Sequence, residues 1–135
     1  MRDNKKLTPA NEDYLEAILI LEKRNNKVRS VEIAKLLNVS KPGVNKAMNI
    51  LKNSGLIVKD DYRDITLTEK GRIEAEKVYD RHLLINRFLR QLGVSEEIAE
   101  IDCCKIEHVL SEETIRQIER FCAQTAKPQK ETDNR

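Results

Sequence analysis

Six side chains of metal-ligating type occur in this chain in a pattern that could converge on one ion. Asp13 and Glu16 stand three residues apart, so on a helix they share a face. Cys104, Glu107 and His108 stand at i, i+3 and i+4. With Cys103 as zero and about 100° per residue, Glu107 falls near about 40°, Cys104 near about 100° and His108 near about 140°. Cys104, Glu107 and His108 therefore share one arc, with Cys103 at its outside edge. The chain has only two histidines, and both His82 and His108 can join this set. Carboxylates, imidazoles and a thiolate together suit a divalent first-row transition metal. The bland alternative is a solvated Glu-His pair and a satisfied His82, and spacing alone leaves both readings open. Glu100, near about 60°, lies on the same arc.

Positioning these residues requires helices, and the sequence supplies their signals. Thr8-Pro9 reads as an N-cap with proline at the first helical position, and Tyr14, Ala17, Ile18 and Leu21 recur at helical spacing as far as Asn25-Asn26. Ser30 opens a short second helix ending at Leu37. Asn38-Val39-Ser40 then links it to a third over residues 41–53, stopped by Ser54-Gly55. Residues 56–59 and 62–68 are β-rich, with Asp60-Asp61 as the turn, and predict a two-stranded wing. Residues 68–92 predict one long helix, about 36 Å at 1.5 Å per residue. Two further helices follow, one capped by Ser95 and running to Leu110, one capped by Ser111 and running to about residue 123. The expected fold is mainly α: a winged helix-turn-helix domain over 1–70, an all-helical metal-binding and dimerisation domain over 71–124, and a polar, disordered tail over 125–135.

A chain of 135 residues with 39% apolar content can bury a core. It has no apolar run near the roughly 20 residues of a membrane span and no signal-type stretch, so a cytoplasmic protein without a membrane partner is expected. Cys103, Cys104 and Cys122 are an odd set, two of them adjacent, which is a poor disulfide framework and fits a reducing compartment. The net charge is +2, yet residues 26–72 hold ten Lys and Arg against five Asp and Glu. A basic segment beside an acidic remainder suits a nucleic-acid-binding half. The third helix is then the recognition helix, presenting Lys41, Asn45, Lys46, Asn49 and Lys52 to phosphates and base edges of double-stranded DNA. Pro42 and Gly43 either start that helix or offer an apolar surface to thymine methyls, and the two roles are compatible. Lys59 and Arg63 on the wing are candidate backbone contacts.

Several stretches resemble the diphtheria toxin repressor and manganese transport regulator family of metal-dependent regulators. They are residues 11–16 (Asn-Glu-Asp-Tyr-Leu-Glu), the helix-turn-helix of 33–55, Arg81-His82 with Phe88-Leu89, and above all residues 104–111 (Cys-Lys-Ile-Glu-His-Val-Leu-Ser). The resemblance runs from Thr8 to Ala123. It implies metal ligands at Asp13, Glu16, His82, Cys104, Glu107 and His108, and DNA contacts at Ser40, Pro42 and Lys46. The pattern is a hybrid. Asp13 and Glu16 resemble the manganese branch, whereas Cys104 resembles the iron branch, whose second site has a carboxylate and a histidine where Asn86 and Glu100 stand here. On that resemblance Glu100 is a candidate for a second ion, and the short two-domain form without the iron branch's SH3-like C-terminal domain is expected.

The resemblance implies a repressor that grips operator DNA as a homodimer when loaded with metal and controls metal-uptake genes. Fe(II) is favoured over Mn(II) because Cys104 adds a soft donor, with Zn(II) or Co(II) able to bind in vitro. Cys103 and Cys122 are expected to be core or surface thiols. A surplus of apolar positions after residue 80, among them Phe88, Ile98, Ile101, Val109 and Phe121, points to the dimer interface. The alternative is a metal-independent winged-helix regulator sensing a small molecule or thiol oxidation. A metalloenzyme is disfavoured, since no separate general base or nucleophile is evident.

Overall fold

The computed structural model describes residues 7–25, 27–60 and 64–133, with only the backbone for Asn25 and residues 126–133. The chain divides into two compact units, residues 1–79 and 80–135. None of the helices among the described residues is long and apolar enough to cross a membrane.

The first unit is built on α1 (Pro9–Asn25), α2 (Ser30–Leu37), α3 (Lys41–Asn53), β1 (Ile57–Lys59) and β2 (Ile65–Leu67). Thr8 caps α1 as the sequence predicts, its Oγ1 accepting the Asn11 N–H at 3.1 Å. Asn38 ends α2 in the left-handed conformation (φ 57°, ψ 51°), where an amide side chain is among the few tolerated. The chain turns there and enters α3 under a second cap, Ser40, whose Oγ accepts the Gly43 N–H at 3.1 Å. The apolar faces meet in one core of Leu15, Ile18, Leu19, Ile33, Met48 and Leu51, all buried.

The two strands pair antiparallel in the register Ile57 with Leu67 and Lys59 with Ile65. The second is shorter than the predicted 62–68, and Arg63 lies outside the described residues. Ile65 also donates its N–H to the Val28 carbonyl at 2.8 Å, and Asp64 accepts from Arg29 at 3.0 Å, so the connection between α1 and α2 borders the wing.

The helix α4 (Glu69–Leu92) starts in the first unit, where Ala75 joins the core and Tyr79 packs against it. The division between units consequently falls inside α4. Thr68 precedes it with its hydroxyl donating to the Gly55 carbonyl (2.7 Å) and accepting the Gly71 N–H (3.0 Å).

The second unit contains the rest of α4, then α5 (Glu96–Ile106) and α6 (Glu112–Asp133). Gly93 takes φ 107° to end α4, and Ser95 and Ser111 cap the next two helices as predicted. Phe88 and Phe121 meet edge to face at 5.7 Å. Two expectations are corrected. The helix capped by Ser95 ends at Ile106, with Glu107 as its C-cap, rather than running to Leu110. The helix capped by Ser111, expected to run to about residue 123, continues to Asp133.

Candidate metal centre and nucleic-acid interface

The inward face of α5 is a stripe four residues apart: Ala99, Cys103 and Glu107 are all fully buried. It meets His82, 9% exposed, on α4. The His82 ring stands between two carboxylates, with Nδ1 3.0 Å from Glu107 Oε1 and Nε2 2.9 Å from Glu100 Oε2. Glu107 also reaches His108 Nε2, 3.2 Å from its Oε2. A carboxylate excluded from water is costly unless positive charge faces it, and two imidazoles or a shared cation supply that charge. The donors fit a divalent transition ion, since nitrogen and carboxylate oxygen are ready-made and the ring nitrogens release their protons to bind one.

Sequence spacing puts Cys103 at the outer edge of the arc and Cys104 within it; in the structure both approach His82 and they differ in burial. Cys103 is buried, its Sγ 3.6 Å from His82 Nδ1 and 3.7 Å from Nε2. Cys104 is exposed, its Sγ 3.9 Å from Nδ1. The arc is drawn through Cys104, Glu107 and His108, whereas the buried face of the helix follows its 99-103-107 stripe. That stripe is legible in the sequence and is the signal that finds Cys103. Burial pushes the Cys103 thiol up to about 12, against the opposing pull of His82, so without a cation it stays protonated and is a poor redox sensor at neutral pH. Asn86 donates to Glu100 Oε1 at 3.0 Å and approaches Cys103 Sγ at 3.9 Å, so it orients two donors. His82, Glu100, Cys103 and Cys104 can each place one ligand atom within 4.8 Å of all the others.

Asp13 and Glu16 belong to α1 in the first unit, where Asp13 is half-buried and Glu16 only 6% exposed. On α3, Val44, Ala47, Met48 and Leu51 are buried while Lys41, Pro42, Asn45, Lys46, Asn49 and Lys52 are exposed together. The cationic and amide side chains therefore form one open face. Ser40 is exposed at its start, its oxygen engaged by the cap and its O–H still able to donate. Lys59 is half-buried on β1.

Comparison with known proteins agrees with both units. Residues 6–65 match the family described as iron dependent repressor, N-terminal DNA binding domain, and residues 68–132 its metal binding and dimerisation domain. A helix-turn-helix-type transcriptional regulator of Methanocaldococcus jannaschii is 41% identical over 112 residues, covering 82% of this chain and 90% of the relative. The regulator MntR of Geobacillus kaustophilus is 40% identical over 111 residues, covering 82% and 79%. Among solved structures, the manganese regulator SloR superimposes with a TM-score of 0.76 at 31% identity over 87% of this chain, which spans about half (55%) of that longer protein. The capped helix-turn-helix with its wing, the buried histidine-carboxylate centre and these matches together place the chain in the diphtheria toxin repressor and manganese transport regulator family of metal-dependent transcriptional repressors.

Proposed function

We propose that this chain represses transcription by binding operator DNA as a homodimer when a divalent metal joins Asp13 and Glu16 to His82, Cys104, Glu107 and His108. The observation that carries the reading is the buried Glu107 carboxylate between two imidazoles, a centre that needs positive charge and sits in the unit matched to metal binding. The bound ion would supply that charge. Glu107 orients His82 and His108, and the ligands of α1 bring in the unit that carries α3. Ordering the two units favours dimers whose recognition helices are spaced about 34 Å apart, which enter successive major grooves. Lys41, Asn45, Lys46, Asn49 and Lys52 contact the DNA with Ser40 and Pro42, and Lys59 and Arg63 of the wing add backbone contacts. Half-exposed Ile98, Ile101 and Phe121, with the more open Val109, supply the dimer surface.

For the ion, Cys104 favours Fe(II) through its soft donor, while the names of MntR and of the manganese regulator SloR favour Mn(II). Fe(II) is the first choice on the donor set. The proposed location is the cytoplasm, and no enzymatic role is proposed. The test is operator-length DNA binding against free Mn(II) and Fe(II), anaerobically, for the natural chain and for His108→Ala. Metal-dependent binding in the first and its loss in the second is expected, with the helical content of both unchanged. DNA binding that survives a chelator would overturn the reading and favour a metal-independent regulator.

A further inference from the structure

We propose that Asn49 reads an adenine in each half of the operator, through two hydrogen bonds to the major-groove edge of that base. This assignment rests on the proposed function, because Asn49 meets a base only if α3 enters the groove. It adds the base that the chain selects and the side chain that selects it.

The buried side chains Val44, Ala47, Met48 and Leu51 fix which way α3 faces. At about 100° per residue, the line opposite their mean direction passes within about 30° of Asn49. Lys41 and Lys52 stand about 90° or more from that line, and Asn45 about 70° from it. An asparagine amide is short, so it reaches only what its own backbone nearly touches. Asn49 stands where the helix comes closest to the groove floor, whereas the long stems of the lysines suit phosphates along the walls. Pro42 shares the outermost line but its ring carries no hydrogen-bonding group, and Asn53 shares it only as the residue that closes the helix.

Nothing in the fold uses this amide. Asn49 is exposed, and among the described residues its side chain has no hydrogen-bond partner. Asparagine is also a poor residue for a helix interior, so local structure does not call for it. The helix α3 carries no acidic residue, so nothing on it competes for the amide or repels a phosphate. A free primary amide presents a donor beside an acceptor, and adenine is the base whose major-groove edge matches. Its N6 amino group donates to Asn49 Oδ1 while Asn49 Nδ2 donates to adenine N7. Guanine offers two acceptors there and cytosine only a donor, so neither can satisfy both atoms of the amide.

The test is selection of bound sequences from a randomised duplex library by the full chain with Mn(II), repeated for Asn49→Ala and Asn45→Ala. The natural chain is expected to enrich a symmetric site with a fixed adenine in each half. Asn49→Ala should enrich the same site with that position degenerate, its preference for adenine falling about tenfold or more. Asn45→Ala should weaken binding and keep the adenine. Placing 7-deaza-adenine at the position replaces N7 by a C–H group, which should weaken the natural chain by a similar factor and leave Asn49→Ala indifferent. Both asparagines are exposed and alanine favours helix, so far-UV circular dichroism should not change. An adenine preference that survives Asn49→Ala, one that is lost in Asn45→Ala instead, or a 7-deaza-adenine penalty equal in the natural chain and Asn49→Ala overturns the proposal. Enrichment of the same sites in the presence of a chelator would sink the metal-dependent reading and leave this assignment standing. Enrichment of no sequence with any metal would sink both.

Discussion

Replacing Gly71 by alanine sets two effects of known sign against each other. Gly71 lies inside α4 with an ordinary helical backbone, so helix propensity alone predicts that alanine stabilises by about 1 kcal/mol. Against this, a Cβ at Gly71 would stand 1.9 Å from the Leu56 carbonyl oxygen and 2.8 Å from its carbon, where real contacts do not fall below 3.0 Å. Both obstacles are backbone, so the start of α4 must back away from the wing. That movement strains the Thr68 N–H to Leu56 carbonyl bond (3.0 Å) and the two bonds of the Thr68 hydroxyl (2.7 and 3.0 Å). Each is worth about 1 kcal/mol, and crowding a packed site adds roughly 1–3 kcal/mol. The net expectation is a loss of about 2–4 kcal/mol, a large share of the roughly 5–15 kcal/mol that holds a typical domain. Urea unfolding of the metal-free chain, followed by far-UV circular dichroism, measures it, with Gly43→Ala as the comparison. There the new Cβ would meet side chains alone, Ser40 Oγ at 3.1 Å and the Tyr14 hydroxyl at 3.8 Å, and the change should stay within about 1 kcal/mol. A Gly71→Ala chain as stable as the natural one, or more so, would refute the packing argument and show that propensity wins.

Lys46→Ala is expected to weaken DNA binding without altering metal affinity, and to flatten the salt dependence by about 0.9 in log-log slope, the share of one phosphate that lysine no longer neutralises; parallel salt titrations decide it. Cys104→Glu should shift the ratio of half-activating Fe(II) and Mn(II) concentrations towards Mn(II), and an unchanged ratio would assign selectivity to the carboxylates. In the metal-free chain at neutral pH, an alkylating reagent followed by mass spectrometry should modify Cys104 fast and the buried Cys103 and Cys122 slowly. Because the folded chain holds the Cys103 proton up to about 12 against an ordinary 9.0, its contribution to stability is complete below about pH 9 and is lost as pH rises towards 12. Cys103→Ala should lack that alkaline fall, as pH-dependent unfolding would show.

Local signals carry most of the fold. Pro9, Asn38, Ser40, Ser95 and Ser111 act at helix ends through interactions with their immediate neighbours, so α1, α2 and α3 can be bounded from sequence almost to the residue. The same caps open α5 and α6, but the ends of these helices escape sequence reasoning where no strong stop signal exists, at Glu107 and beyond Pro128. The exposed polar face of α3 follows from its periodicity. The pairing of His82 with Glu100 and Glu107 does not, because it depends on how α4 and α5 cross, which no spacing within either helix encodes. The resemblance names the ligand positions but says nothing of the thiol beside them.

The bond from Ile65 to the Val28 carbonyl has a bearing on self-association. A two-stranded hairpin offers two open edges, and an open edge is a template on which another chain can add a strand. Here the edge of β2 is engaged at Ile65 by a segment that is not itself a strand, and Lys27 and Arg29 flank that segment and pair with Asp64. Charge and an occupied backbone donor thus block the edge nearest the core. That edge of the wing is in this way closed to strand addition by another copy of the chain.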